Sequence, residues 1–397
     1  MNAVNEGGAN REGGLVIAFL ANSSWYLANF RLGIMKELIR RGMRVLALSP
    51  EDPYSEFIKA AGVEWFPVPL KRRHYNPLQK LQVVRAIRHI YRREKVDLVH
   101  HFTLEAIVMG TVAARYRYPK PPKIVQSVTG MGIVFSSRDK RWRIVRMGLI
   151  PFLRRTLPRG LVIVENELDR RRIGRLLGRH SRAEILTIPG GGVNTRRFHP
   201  EGKKLLPESN GAVRFLLAGR LLKEKGGALF AEAAGILANE GFEFLLAGEP
   251  DAGSGDSHTR EEIEGWARLP GFTWLGGVER MDELLRSVDV LVHPTFYGEG
   301  LPRIIMEGGA SGLPVIASSI AGCRELVQDG VNGWILRSKC AHELAKLMKQ
   351  AAGVGAAGRL EMGRKGRQFC EQRYSEGQAT RATLDVYERY FPGVFKG

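Results

Sequence analysis

The chain has 397 residues, 44% hydrophobic and 25% charged, the balance of a soluble globular protein long enough for two domains. It contains no run of about 18 uncharged apolar residues, which argues against a membrane-spanning helix. Its three cysteines, Cys323, Cys340 and Cys370, cannot all pair and lack metal-ligand spacing, so a disulfide scaffold or a zinc cluster is excluded and reduced thiols in a cytoplasmic setting are expected.

The net charge of +19 is unevenly spread. Residues 1–200 hold 36 Lys and Arg against 15 Asp and Glu, whereas residues 201–397 hold 24 against 26. Such asymmetry predicts a partner with an anionic surface, a membrane or a nucleic acid.

Residues 1–14 lack the basic start and apolar core of a secretory signal and read as a flexible leader. Apolar runs then alternate with helical patterns. Strands are expected at 15–21, 44–49, 63–68, 97–101, 123–128, 161–165 and 184–189, with helices between them, for example over 30–41 and 77–94. Runs without polar alternation are covered on both faces, which means a parallel sheet flanked by helices. A glycine- and proline-rich stretch, 190–212, interrupts the pattern, and a linker is placed at 193–212. Strands resume at 213–219, 242–248, 272–277, 289–294, 314–318 and 333–336. The expected architecture is α/β, two tandem doubly wound Rossmann-like domains (15–192 and 213–375) facing a central cleft, with a helix over 376–397 crossing back to the first. In such folds ligands bind outside the carboxyl ends of the strands.

The stretch "FYGEGLPRIIMEGGASGLPVIAS", residues 296–318, sets Glu299 and Glu307 among apolar residues and glycines. The strand before it predicts that Glu299 lies in a loop, that Pro302 opens a helix and that Glu307 stands one to two turns inside it. The N–H groups of Gly300 and Leu301 at the helix start favour an anion, with phosphate the best fit. Glycines at 298 and 300 allow close approach to the backbone. A carboxylate is repelled by phosphate, so each glutamate should face neutral hydroxyls. A nucleotide-sugar offers such hydroxyls on both sides of its diphosphate.

These residues form the E-x7-E pattern, and the segment resembles the retaining glycosyltransferases of family 4, which have the GT-B fold. "AGRLLKEKG" (218–226) resembles that family's phosphate-binding segment, "AGCRELVQDGVNGWIL" (321–336) its next block, and "GGGVNTRRFHP" (190–200) its hinge. The resemblance implies that Glu307 holds the donor ribose, that Glu299 contacts the donor sugar or its reacting centre, and that Arg220 and Lys225 neutralise the diphosphate. Gly219, Gly300, Leu301 and Pro302 complete the donor side. Two cations and a helix start can stabilise a departing nucleoside diphosphate by charge. The sequence has no D-x-D pair, so no metal and no other cofactor is expected. Family precedent implies front-face attack in a short-lived ion pair, with retention of configuration.

On the acceptor side, Asn22 and Arg31 lie in "NSSWYLANFRLG" (22–33), and Thr129 and Gly130 in "QSVTGMGIVFSS" (126–137). Many family members carry a histidine where this chain has Thr129. The TGMG form resembles the branch that extends polyprenyl-diphosphate-linked saccharides. His100 and His101 read as structural histidines, and Glu325 as structural or sugar-facing. "RDKRWRIVRMGLIPFLRRTL" (138–157), with Trp142, Ile144, Leu149, Phe152 and Leu153, reads either as a helix for an anionic lipid surface or as a core helix with a solvated basic face. "KRRHY" (71–75) and "DRRRIGRLLGRHSR" (169–182) add positive charge.

The expected activity is therefore transfer of a hexose or N-acetylhexosamine from a UDP-sugar to a lipid-linked saccharide, on the inner face of the cell membrane. A non-hydrolysing sugar-nucleotide epimerase and a nucleic-acid binder are the alternatives. The second lacks a recognised binding module, so no nucleic acid is expected.

Overall fold

The computed structural model describes residues 14–70, 77–115, 120–130, 140–178, 181, 183–202, 212–251, 255–296, 298 and 300–396. Among these residues the first sheet comprises β1 (Val16–Leu20), β2 (Arg44–Ser49), β3 (Glu64–Pro67), β4 (Leu98–Phe102), β5 (Lys123–Val128), β6 (Leu161–Val164) and β7 (Ile185–Thr187), in the order 3-2-1-4-5-6-7. The second comprises β8 (Arg214–Ala218), β9 (Glu243–Ala247), β10 (Phe272–Gly276), β11 (Val290–His293), β12 (Val315–Ser318) and β13 (Gly333–Leu336), in the order 10-9-8-11-12-13. Every pairing is parallel, for instance Ile17 with Val45 and Leu98, and Leu291 with Val315. The expected strands all appear, one or two residues shorter at some ends.

Helices cover both faces. The first unit carries α1 (Ser24–Phe30), α2 (Leu32–Arg40), α3 (Ser55–Ala60), α4 (Pro77–Arg93), α5 (Leu104–Arg115), α6 (Lys140–Thr156) and α7 (Glu167–Leu177). The second carries α8 (Gly227–Ile236), α9 (Arg260–Trp266), α10 (Met281–Arg286), α11 (Arg303–Ala310), α12 (Ala321–Leu326), α13 (Ala341–Gly353) and α14 (Gly355–Arg373); α15 (Glu376–Glu388) follows. Side-chain caps start several of them. The Asn166 carboxamide accepts from Asp169 N–H at 2.8 Å at the start of α7, and Thr259 with Glu262 forms a capping box on α9.

The helix expected over 30–41 is found as α2, Leu32–Arg40, and a separate helix, α1, precedes it, with the break at Arg31. Arg31 ends α1 and begins α2 with a non-helical φ of −128° and ψ of −2°. Its guanidinium is pulled inward by the Tyr26 hydroxyl, with Nη2 2.6 Å and Nε 3.0 Å away. That interaction fixes a break that apolar periodicity cannot show.

α15 packs on the first sheet. Leu384, Val386 and Tyr387 lie in the same apolar cluster as Ile17, Phe19 and Val125. The Tyr387 hydroxyl pairs with His100 Nδ1 at 2.7 Å. The Tyr390 hydroxyl donates to Ile124 O at 2.9 Å and accepts from Leu161 N–H at 3.1 Å. Val193 pairs with Tyr374 and Glu376 through its backbone, at 2.7 and 2.9 Å, so both strands of the chain that join the domains run side by side.

Strand order reverses between β1 and β4 and again between β8 and β11. Each reversal opens a crevice at the carboxyl ends of its sheet, where loops on either side diverge. Asn22 and Thr103 leave the first crevice; Gly219, Arg220 and Pro294 leave the second.

Candidate functional site

The second crevice is assembled around α11. Its start is extended at Pro302 (φ −63°, ψ 115°), which therefore caps the helix from outside rather than forming its first turn. Its end is marked by Gly312 in the left-handed region (φ 72°), the conformation that stops helices. Glu307 lies in the second turn. Its Oε1 accepts from Arg303 Nε at 2.7 Å. Burial raises the Glu307 pKa, while the Arg303 charge and hydrogen bond oppose the rise. Arg303 also reaches across the cleft: Nη1 donates to Asn29 O at 2.6 Å, and the guanidinium lies 4.5 Å from the centre of the Phe30 ring. Glu299, the first glutamate of the pair, lies outside the described residues.

The loop before α11 is tied to the cationic segment after β8. Phe296 N–H donates to Glu224 O at 3.0 Å, and the Thr295 hydroxyl donates to the same oxygen at 3.3 Å. Gly226, left-handed at φ 86°, sits so near Pro294 that a Cβ would meet its carbonyl oxygen at 2.5 Å. Lys225 is thereby brought beside the α11 loop. Gly219 ends β8 with its N–H bonded to Ala247 O at 2.9 Å. Arg220 is half exposed, and its Nη1 pairs with Asp251 at 3.2 Å.

The first crevice meets this loop from the other side. A Cβ built on Gly130 (φ 103°) would lie 3.6 Å from the Gly300 nitrogen, so the "TG" loop after β5 abuts the α11 start. Thr129 is half-buried beside it, and residues 131–137 of that motif lie outside the described residues. Asn22 is half-buried after β1. Arg31 is buried: besides Tyr26 it stacks 4.6 Å from the Phe102 ring centre, and Nη2 stands 3.9 Å from Glu165 Oε1. It reaches the cleft through that carboxylate. The Leu301 N–H, expected to be bare, faces Glu165 and favours its charged form.

Two family models match this arrangement. The one described as "Glycosyl transferases group 1" covers residues 212–352, and the one described as "Glycosyl transferase 4-like" covers residues 16–152. The chain is a glycosyltransferase, with a 4-like first domain and a group 1 second domain. An N-acetylgalactosaminyltransferase of Campylobacter jejuni, named for diacetylbacillosaminyl-diphospho-undecaprenol, is 23% identical over 95% of this chain and 100% of its own. An α-1,3-galactosyltransferase of Escherichia coli, named for GlcNAc-diphosphoundecaprenol, is 26% identical over 73% of this chain and 75% of its own. Among solved structures, HepE of Anabaena, crystallised with UDP and glucose, superposes with a TM-score of 0.77 at 17% identity, covering 94% of this chain and 99% of that one. The fold is GT-B.

Three features of this glycosyltransferase escaped the sequence reading. Glu165 follows a strand that reads as pure core, and nothing local marks it. Arg303 stands four residues before Glu307, a helical ion-pair spacing that was the available signal. Thr103 is β-branched yet left-handed at φ 73°, and its buried hydroxyl has no hydrogen-bond partner among the described residues. Strain of this kind costs on the order of 1–3 kcal/mol and gathers at functional sites.

The histidines are structural, as read. His100 bonds Tyr387 and Ser127, each at 2.7 Å, and His101 bonds Tyr91 at 3.2 Å. Burial holds His101 down to about 3. Glu325 bridges the domains by accepting from Glu167 N–H at 3.4 Å.

Proposed function

We propose that this glycosyltransferase moves a hexose or N-acetylhexosamine from a UDP-sugar to a polyprenyl-diphosphate-linked saccharide, with retention of configuration and without a metal. The observation that carries the reading is the backbone tie between Glu224 and the loop before α11, which sets Lys225 beside a helix start and Glu307 one turn beyond. That juxtaposition suits a diphosphate flanked by a ribose. The relatives named for undecaprenol-linked acceptors, one spanning nearly the whole chain, support the acceptor class.

In this reading Glu307, oriented by Arg303, accepts from the ribose diol. Lys225, Arg220 and the α11 start take the negative charge that grows on the leaving diphosphate, and charge stabilisation in a dehydrated cleft replaces a divalent cation. Glu299 orients the sugar. The acceptor hydroxyl attacks from the face the diphosphate leaves, and its proton passes to the departing phosphate oxygen. No enzyme carboxylate forms a covalent bond.

The acceptor's lipid places the reaction at a membrane, and the protein would dock there peripherally, on the cytoplasmic face. Among the described residues no helix is long and apolar enough to cross a bilayer. α4 packs on α5 and α5 on α6, and this layer exposes Leu78, Leu81, Met147 and Phe152 among Arg85, Arg88, Arg154 and Arg155. Apolar side chains among cations suit an anionic lipid surface.

A panel of UDP-sugars with an undecaprenyl-diphosphate-linked saccharide tests the reading. One donor should give an extended, lipid-linked product whose new bond keeps the donor's α configuration by NMR coupling constants, with the rate unchanged by EDTA. An inverted product, or loss of activity restored by Mg2+ or Mn2+, would overturn the mechanism. Conversion of the donor without acceptor would favour the epimerase.

A further inference from the structure

Glu165 belongs to the first domain, yet its carboxylate ends against the backbone of the second. The Leu301 N–H faces it and favours its charged form. A Cβ on Gly300 would lie 2.4 Å from its Oε2, so glycine at that position gives the carboxylate its seat. Gly190 closes the other side, where a Cβ would stand 3.2 Å from Oε1.

The charged and titratable neighbours come from several elements. Arg31, between α1 and α2, stands 3.9 Å away and favours the charged form. Asp169 of α7 favours the neutral form. The Tyr26 hydroxyl of α1 is pushed up to about 12 by burial and stays protonated. The α11 loop contributes the Leu301 amide. Burial dominates and raises the Glu165 carboxyl to about 7, so near neutral pH it exchanges between two protonation states.

The same amide is the one a donor diphosphate would use. A diphosphate at that point sets negative charge beside the carboxyl, and like charges at such a distance favour proton uptake. We propose that Glu165 is a positioning residue of the transfer: it holds the start of α11 across the cleft, yields the Leu301 amide to the donor diphosphate, and takes one proton from solvent as it does so. The resulting O–H is a donor within reach of a phosphate oxygen, so the cleft stays closed over the bound nucleotide. This proposal rests on the reading that the diphosphate sits at the start of α11.

The sign follows from linkage. Binding favours the protonated carboxyl. Below about pH 7 that form is already present and affinity is level; above it, affinity falls by up to about tenfold per pH unit. Calorimetric titration of the full chain with UDP, from pH 6 to 8.5 in two buffers of different ionisation enthalpy, reads both the slope and the proton count. The terminal phosphate of UDP titrates alike in all variants, so the difference between wild type and Glu165→Gln isolates the carboxyl.

Wild type should take up protons above pH 7 relative to Glu165→Gln, which should keep UDP binding and lose that extra pH dependence. In turnover the effect should fall on the donor KM rather than on kcat. Equal slopes and proton counts in the two proteins would overturn the role of Glu165. Should the Gln variant fold poorly, absence of uptake by wild type alone, once the phosphate of UDP is accounted for, overturns it equally. If wild type does not bind UDP, or Lys225→Ala leaves its affinity unchanged, the diphosphate seat itself is wrong, a separate failure.

Discussion

Arg303 accounts for a carboxylate standing inside α11. Burial alone would drive the Glu307 carboxyl toward its neutral form, and the guanidinium 2.7 Å away counters that and aims it. Glu307→Ala should weaken UDP binding by about 2–4 kcal/mol, the worth of lost charge-assisted hydrogen bonds to the ribose. Arg303→Ala should weaken it through the disoriented Glu307, and Arg303→Lys should recover little, because an ammonium cannot both grip the carboxylate and stack on Phe30. Titration of each variant with UDP measures this, and unchanged affinity in Glu307→Ala would remove the ribose role. Glu307 was legible because glycines, a helix start and a second acid surround it within one short stretch. Glu165 was not, because what makes it special is the backbone of Gly300 and Leu301, distant in sequence and met only across the cleft.

At the scale of elements, α6 was read in two ways, and it has both faces. Leu153 is buried and Leu149 packs beside it, facing the core, while Met147 and Phe152 are exposed next to Arg154 and Arg155. The side chains of Trp142 and Ile144, and all of residues 71–75, lie outside the described residues. If the outer face meets lipid, Met147→Asp with Phe152→Asp should lower binding to phosphatidylglycerol vesicles by at least about tenfold, since apolar insertion is lost and repulsion gained. Binding should also fall as salt rises. Cosedimentation reads both, and equal binding to phosphatidylcholine vesicles would sink the electrostatic part. The limits of α4, expected at 77–94 and found at Pro77–Arg93, were legible. The break at Arg31 was not, because apolar spacing does not mark a cap residue whose side chain folds back on Tyr26 of the helix it ends.

At the scale of the whole molecule, two parallel sheets meet over loops from both carboxyl edges, and α15 braces the first sheet with Tyr387 on His100. The buried histidines give this unit a pH limit. His101 is held neutral by burial down to about 3, whereas an unfolded histidine protonates near 6.5. The unfolded chain therefore binds more protons throughout that window, and stability falls as pH drops below about 6.5. Between pH 7 and 5 wild type should lose about 2 kcal/mol more than a His101→Gln variant. Urea unfolding at the two pH values gives the comparison, and identical losses would mean that His101 is already protonated in the fold.

The residue order by itself determined the strands, their parallel pairing and the second-half motifs, because uninterrupted apolar runs must be covered on both faces and because phosphate seats need glycines and a helix start close together in the chain. Only the tertiary structure decided that Glu165 lies on the Leu301 amide, that Arg303 reaches Asn29 and Phe30, and that Arg31 turns inward. Each of these is a polar group satisfied by a partner from another domain or element, and such a partner is defined by how the folded surfaces meet rather than by any local pattern.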